Sequence, residues 1–199
     1  MKLIHAPASP FVRKVRVTLI ACNMADRVEL VPVATTALAT APAARAANPL
    51  GKIPALIRDD GPALHDSGVI CRYLDTLAGA GLFDPTDWAA MTLESLADGI
   101  MEAGVLMVYE TRLRPPEAQF APWVEAQWGK ITGALDDIEA NWMGYLDGPL
   151  TGAQIAVGCA LGYLDFRHGA RNWRAGRGGL DDWFAAFSQR DAMLATQPA

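Results

Sequence analysis

Ser9 and Pro10 stand where an apolar run ends and a helical pattern begins. The unpaired amides and the dipole at a helix start favour a negative charge, and a serine hydroxyl adds a directed hydrogen-bond donor. A thiol bound at this point would therefore be held as a thiolate. A serine before a proline is also typical of a helix N-cap, and the two interpretations are compatible.

A second segment, Lys52-Ile53-Pro54, brings a proline into a short apolar run directly after a turn-rich loop. Most X-Pro bonds in folded proteins are trans, so a trans bond before Pro54 is the default expectation. A cis bond would instead leave the amide and the carbonyl of Ile53 available to pair with a peptide-like ligand, as an added strand does. The residues alone leave both isomers open.

The third segment is Asp66-Ser67, at the start of another helical pattern. Ser67 and the neighbouring amides suit a carboxylate, and Asp66 suits an amino group, so the pair fits an α-amino acid. Capping of the helix, which needs no ligand, is the alternative interpretation.

Alternating and helical patterns predict the elements that position these segments. The order over residues 1–79 is strand, helix, strand, a possible helix, two strands and a helix, with Gly79 and Gly81 ending the last helix. Residues 34–47 are nearly all alanine and threonine, and their pattern does not decide between a short helix and irregular structure. The fold class of this part is therefore α/β.

From residue 87 onward the pattern predicts helices only. One of them opens with a capping box of Thr151 and Gln154, which stabilises a helix start and implies no chemistry. A linker rich in Gly and Pro separates the two parts. We therefore predict two domains, residues 1–79 and residues 87–199, the second one all-helical.

Composition excludes several classes of function. The 199 residues carry 17 Lys and Arg against 22 Asp and Glu, a net charge of -5 that argues against a nucleic-acid or anionic-membrane partner. No apolar run is long enough to span a membrane. The three cysteines are widely spaced with no C-x-x-C pair, which argues against a metal site and favours a reducing, cytoplasmic location.

Four stretches of the sequence, in this order, are similar to the bacterial cytosolic glutathione S-transferases. The similarity spans nearly the whole chain, and the proline-containing loop and the Asp-Ser pair are its most specific parts. The matching stretches are SPFVRKVR at 9–16, NPLGKIPAL at 48–56, HDSGVICRYL at 65–74 and IAVGCALGYL at 155–164.

The resemblance implies a thioredoxin-like βαβαββα domain that binds glutathione, followed by a helical bundle that forms the pocket for a small hydrophobic electrophile. Glutathione would be the co-substrate, with no other cofactor, and the protein would be a homodimer. Ser9 matches the position that activates the thiol. Pro54 matches the cis-proline of the family. The implied glutathione-binding residues are Phe11, Lys52, Ile53, Pro54, Asp66 and Ser67.

Individual roles follow from the same resemblance. Ile53 would pair with the cysteinyl backbone of glutathione, Asp66 and Ser67 would hold its γ-glutamyl end, and Lys52 would lie near its glycyl carboxylate. The electrophile pocket would draw on the loop near Phe11 and on helix residues 101–109, although residues of those types at helical spacing are more often core.

Related redox families have cysteine where this chain has Ser9, often with a second cysteine at Val12. Serine cannot form a mixed disulfide, so a glutaredoxin-like reaction at this position is disfavoured. Two alternatives to a transferase remain open. They are a glutathione-binding interaction or regulatory module with little catalysis, and a glutathione-dependent reductase or peroxidase.

Overall fold

The protein, described by a computed structural model over residues 1–198, divides into two compact units. The first unit comprises Met1–Asp84 together with the segment that begins at Asp191. The second unit comprises Pro85–Arg190. The division differs from the predicted domains at the C-terminal end, because the prediction gave all of residues 87–199 to the helical domain.

The regular elements follow the predicted order and add two short helices, one at residues 143–146 and one near the C-terminus. The four strands are β1 Lys2–His5, β2 Glu29–Pro32, β3 Ala55–Ile57 and β4 Leu64–His65. The helices are α1 Pro10–Ala21, α2 Pro42–Ala47, α3 Ser67–Ala78, α4 Trp88–Leu113, α5 Ala121–Asp137, α6 Met143–Leu146, α7 Gly152–His168, α8 Gly178–Phe187 and α9 Asp191–Leu194.

In the first unit the strands form one sheet in the order β2-β1-β3-β4. Strand β1 runs parallel to β2 and antiparallel to β3, and β4 is antiparallel to β3. Strands β1 and β4 therefore point the same way, and the helices that follow them begin at the same edge of the sheet. This βαβαββα unit, with a mostly helical second unit, confirms the predicted fold class.

Alternation along the strands divides the core of the first unit between the two faces of the sheet. Leu3 and Leu56 are buried on one face with apolar residues of α1 and α3. Ile4 and Ala55, their neighbours in sequence, are buried on the other face with alanines of α2. Residues 34–47, which the pattern left undecided, thus contain a helix whose small residues pack closely against the sheet.

The segment after Asp191 belongs to the first unit because helix α9 packs against α1. The Arg13 guanidinium, itself buried, donates from Nη2 to the carbonyl of Met193 at 3.0 Å and from Nε to Oγ1 of Thr196 at 3.4 Å. The neighbouring Arg16 donates to the carbonyl of Ala195. Residues far apart in sequence therefore fix the outer side of the helix that starts at Ser9.

In the second unit, helix α7 lies at the centre and packs against α4. Its residues 152–164 are all buried, as expected of a helix that is apolar on every side. Gly104 of α4 makes the close approach possible, since a Cβ at that position would lie 3.2 Å from the ring of Tyr163. Nε2 of His168 lies 2.9 Å from the carbonyl oxygen of the same glycine.

Glu139 connects two helices of the second unit. It lies in a π-helical segment, Ile138–Trp142, that continues α5. Its carboxylate accepts from the amides of Gly179 at 3.0 Å and Leu180 at 2.7 Å, which are unpaired donors in the first turn of α8. Sequence pattern predicted both helices but not this contact.

Candidate functional site

The register of the sheet brings the three predicted segments to one edge. Ile4 at the end of β1 pairs with Ala55 at the start of β3, and Ala55 pairs with His65 at the end of β4. The loop to Ser9, the Ile53-Pro54 pair and the Asp66-Ser67 pair all leave the sheet at these positions. Segments that lie between 13 and 57 residues apart in sequence therefore face the same end of the sheet.

Ser9 is the N-cap of α1, as the sequence predicts. It has extended backbone angles, its Oγ accepts from the amide of Val12 at 3.3 Å, and Pro10 occupies the first helical position. Within residues 1–198 no acceptor is recorded for the hydroxyl hydrogen of this half-buried side chain. The hydroxyl is thus held by one hydrogen bond and still has a proton to donate to a ligand.

The loop before β3 is held by Asn48, a buried residue that sequence reasoning did not single out. Its Oδ1 accepts from the amide of Leu50 at 3.0 Å, and its Nδ2 donates to the carbonyl of Lys52 at 3.0 Å. The only sequence feature that indicated this loop was the cluster of turn-forming residues at positions 48–52. The Ile53-Pro54 peptide bond is cis, as the family resemblance implied, while the Lys52 side chain is exposed.

Asp66 is the N-cap of α3, and its Oδ1 accepts from the amides of Gly68 at 2.8 Å and Val69 at 3.1 Å. Its φ of 72° lies in the left-handed region, which residues other than glycine rarely adopt. Residues in such strained conformations cluster at functional sites. The second carboxylate oxygen, Oδ2, has no recorded protein partner in the described chain. One oxygen therefore caps the helix and the other is available to a cation.

Ser67, next to Asp66, is 3% exposed. No hydrogen bond of its hydroxyl to another residue is recorded between positions 1 and 198. The residue is buried as a whole, but its oxygen is not one of the fully buried side-chain atoms without a partner, so the hydroxyl is accessible to a ligand. Capping of α3 is done by Asp66, which leaves Ser67 without the structural role that the sequence also allowed.

Two helix starts, those of α1 and α3, therefore face one edge of the sheet. The start of α1 has a neutral N-cap and no acidic residue in its first turn, so its partial positive charge is not neutralised, whereas the carboxylate of Asp66 offsets part of the charge at the start of α3. This edge favours anionic groups such as a thiolate and a carboxylate. Phe11 is half-buried in the first turn of α1.

Residues 101–109, proposed from the sequence as part of an electrophile pocket, lie on α4 in the second unit. Met101 is fully buried and belongs to the core, which is the alternative that the sequence left open. Met107 is also buried, and it lines a cavity within the helical unit.

The three cysteines are buried, and none stands at the candidate site. Burial, together with the nearby negative charge of Asp75, raises the pKa of Cys22 to about 11. Such a thiol is not a nucleophile near neutral pH. No group of three or more metal-ligating side chains occurs among residues 1–198, and no helix in that range is long and apolar enough to cross a membrane.

Comparison with known protein families matches both units. Residues 8–77 match the family described as the N-terminal domain of glutathione S-transferase, and residues 121–186 match the one described as its C-terminal domain. The chain belongs to the glutathione S-transferase family. Among curated relatives, a GST-like protein of Escherichia coli K12, YibF, described as uncharacterized, is 34% identical and is aligned over 100% of this chain and 98% of its own.

Solved glutathione S-transferase family structures agree over the full length. A family member from Pseudomonas fluorescens Pf-5 with bound glutathione is 44% identical, with a TM-score of 0.94 over 100% of this chain and 98% of that one. A structure from the same strain with bound S-(propanoic acid)-glutathione is 44% identical, with a TM-score of 0.92 over 100% and 99%. A Methylobacillus flagellatus enzyme with glutathione bound is 33% identical, with a TM-score of 0.85 over 100% and 99%.

Proposed function

We propose that the protein is a glutathione transferase of the subgroup with serine at the thiol-activating position. Glutathione binds at the sheet edge where α1 and α3 begin. Its thiol loses a proton to solvent, and the resulting thiolate accepts a hydrogen bond from Ser9 Oγ. The sulfur then forms a bond to an electrophilic carbon of a small hydrophobic substrate, and the leaving group departs with its electron pair.

The observation that carries this proposal is the state of Ser9. Its Oγ is fixed by the amide of Val12 at the start of a 12-residue helix, and its hydroxyl hydrogen has no recorded acceptor within residues 1–198. A thiolate bound beside it gains both a charge-assisted hydrogen bond and the field of the helix. The relative whose bound glutathione carries a propanoic acid group on sulfur supports chemistry at this atom.

The remaining contacts follow from the chemistry of each group. The γ-glutamyl amino group pairs with Oδ2 of Asp66, and the γ-glutamyl carboxylate accepts from the hydroxyl and the amide of Ser67. The backbone of Ile53, fixed by Pro54, pairs with the cysteinyl backbone of the ligand. Lys52 is exposed and lies near the glycyl carboxylate, while Phe11 covers the ligand from the first turn of α1.

Protein thiols do not support the alternative of a reductase or peroxidase, because Cys22, Cys71 and Cys159 are all buried. The reactive sulfur is therefore the one that glutathione supplies. We also propose that the enzyme acts as a cytoplasmic homodimer in detoxification, as the family resemblance implies, and that it needs no cofactor beyond its co-substrate.

The test is conjugation of glutathione to 1-chloro-2,4-dinitrobenzene by the purified protein. Replacing Ser9 by Ala removes the donor to sulfur, so we expect turnover to fall at least about tenfold. The same loss should raise the pKa of the bound thiol by about 1 to 2, since a hydrogen bond to a charged group contributes about 1.5–3 kcal/mol. Ultraviolet absorbance of the thiolate, followed against pH, measures that change.

Ser188→Ala is the matched control, because it removes a hydroxyl from the helical unit whose only recorded partners are local, the carbonyl of Ala185 and the exposed side-chain amide of Gln189. We expect it to leave the turnover and the thiol pKa unchanged. If Ser9→Ala behaves like Ser188→Ala in both measurements, the role of Ser9 is wrong. Tight glutathione binding without any conjugation by the unmodified protein would instead favour a binding module.

A further inference from the structure

A cavity of about 360 Å³ lies within the helical unit. It is bounded by the C-terminal half of α4, the first turns of α5 and the end of α7. Met107, Val124 and Phe166 supply an apolar part of the lining, and three arginines supply a cationic part. The volume suits a small organic molecule, since ligand pockets begin at about 300 Å³.

The three arginines differ in how their charge is balanced. Arg171 forms a two-bond ion pair with Glu125, with distances of 2.6 and 3.0 Å. Arg112 and Arg167 are paired with no carboxylate in the part of the chain that the structure describes. Arg167 has a side-chain hydrogen bond with the phenol of Tyr163, and burial raises the pKa of that phenol to about 12, so the phenol stays neutral.

The two unbalanced guanidiniums are close enough to repel one another. Burial, and next the positive charge of Arg112, lower the pKa of Arg167. Burial, and also the positive charges of Arg171 and Arg167, lower the pKa of His168, so its imidazole adds no further positive charge near neutral pH. Solvent screens part of this repulsion because Arg112 is exposed, while the half-buried Arg167 would be stabilised by an anion at the cavity.

Other arginines of the helical unit show what an arginine with a purely structural role looks like here. Arg114 pairs with Glu110 at 2.8 Å, Arg174 pairs with Asp165 at 2.6 Å and Asp181 at 2.7 Å, and Arg177 pairs with Asp136 at 2.7 Å. The exposed Arg112 and Arg190 have no carboxylate partner in the described chain, and such pairs matter little at a surface. Arg167 is half-buried at the cavity and also has none, so the partner that it lacks is of the kind that a ligand brings.

We propose that this cavity binds a small organic acid, with its carboxylate between Arg112 and Arg167 and its apolar body against Met107, Val124 and Phe166. A guanidinium presents a planar fork of donors that matches a carboxylate, and two of them neutralise the charge that they otherwise concentrate. The site is built from residues 107–171 alone and does not depend on the proposed glutathione site.

Isothermal titration with benzoate tests the proposal, with benzamide as its neutral analogue of the same shape and no glutathione present. We expect benzoate to bind and benzamide to bind at least about tenfold more weakly, as for the loss of a charge-assisted hydrogen bond. Equal affinity for the two compounds, or no heat from benzoate up to about 10 mM, would overturn the proposal. Because glutathione is absent, this outcome is separate from that of the conjugation assay.

Arg112→Gln and Arg167→Gln should each weaken benzoate binding at least about tenfold. Lys130→Gln is the matched control, because it removes the same charge from an exposed position on α5 outside the cavity, and we expect a change below about twofold. A loss in Lys130→Gln equal to that in the arginine variants would show a general charge effect and contradict the site.

Two further arms keep the test decisive. Arg112→Lys retains the charge without the planar fork, so its affinity should fall between those of the unmodified protein and Arg112→Gln, even if a glutamine variant fails to fold. Inorganic phosphate lacks an apolar body and should bind more weakly than benzoate. Phosphate binding as tight as benzoate binding would contradict the role of Met107, Val124 and Phe166.

Discussion

The proposed ligand sites of the two units are built from different kinds of groups. At the sheet edge of the first unit, the site consists of small polar side chains at helix starts: Ser9, Asp66 and Ser67. Their positions are fixed by hydrogen bonds to backbone amides no more than three residues away, or by the register of the sheet. In the helical unit the cavity is lined by long side chains, Arg112 and Arg167, that come from different helices. The first site is set by local structure and the second by helix packing.

This difference decides how each site should respond to substitution. A change of one small side chain at the sheet edge should remove a ligand contact and leave the fold intact, because the cap or the sheet still holds the backbone. A change that separates α4 from α7 should instead act on stability and on the cavity together. Each of the following experiments tests one side of this contrast.

Ser67→Ala is expected to have the largest effect. The variant removes a hydroxyl that is accessible and has no recorded protein partner within residues 1–198, so the fold should keep its stability while glutathione loses a hydrogen bond to its carboxylate. We expect the Kd for glutathione to rise about 10- to 100-fold, as for other hydrogen bonds to charged groups. Calorimetric titration with glutathione measures it.

Thr76→Ala, on the exposed side of the same helix, is the control and should leave the Kd unchanged. An unchanged Kd in Ser67→Ala would mean that the γ-glutamyl carboxylate does not bind at Ser67. The sheet-edge site would then not depend on small polar side chains as described above.

Gly104→Val tests the helical side. Its Cβ would lie 3.2 Å from the Tyr163 ring, so the added methyl groups must push α4 from α7, and overpacking of this kind costs about 1–3 kcal/mol. Gly99→Val makes the same replacement nearby on α4, where nothing lies within 4 Å, and it isolates the contact from helix propensity. Urea unfolding of both variants gives the difference, and equal losses would show that the close approach does not matter.

Asp66→Asn separates capping from ligand charge. Asparagine keeps an oxygen for the amides of Gly68 and Val69 and tolerates the positive φ, so unfolding should change by less than about 0.5 kcal/mol. The lost carboxylate should raise the Kd for glutathione by about 3- to 10-fold, since the site is solvent-exposed. A destabilised variant with normal affinity would mean that Asp66 only caps α3.

His168→Gln is expected to have the smallest effect, and one that depends on pH. Burial lowers the pKa of the folded imidazole below 6.5, so the unfolded chain binds more protons, and the folded state loses stability as the pH falls below that value. Urea unfolding at about pH 8 and about pH 5.5 should show a larger loss in the unmodified protein than in His168→Gln. His5, whose pKa is lowered in the same direction, remains in both.

The same contrast explains what the sequence could predict. The caps at Ser9 and Asp66, the hairpin of β3 and β4 and the end of α3 at Gly79 depend on neighbouring residues, and the structure confirms these elements. Helix α2 was left undecided because its alanines lack periodicity, and their burial depends on Ile4 of a distant strand.

The cavity could not be predicted from sequence for a related reason. Arg112 and Arg167 are 55 positions apart in the sequence, and they meet only because α4 packs against α7 at Gly104. The division of the chain shows the same limit, since nothing near Asp191 indicates that the helix there packs on α1. Asn48, by contrast, lies in a turn that the sequence does predict, and only its burial could not be predicted.

The packing of the segment after Asp191 on α1 has a consequence for how the protein is made. Arg13 leaves the ribosome early, but the carbonyl of Met193 and the hydroxyl of Thr196 that it contacts are made after the whole helical unit. The unit that begins first is therefore completed last. A nascent chain stalled before residue 191 would present Ser9 on a helix whose outer side is still uncovered.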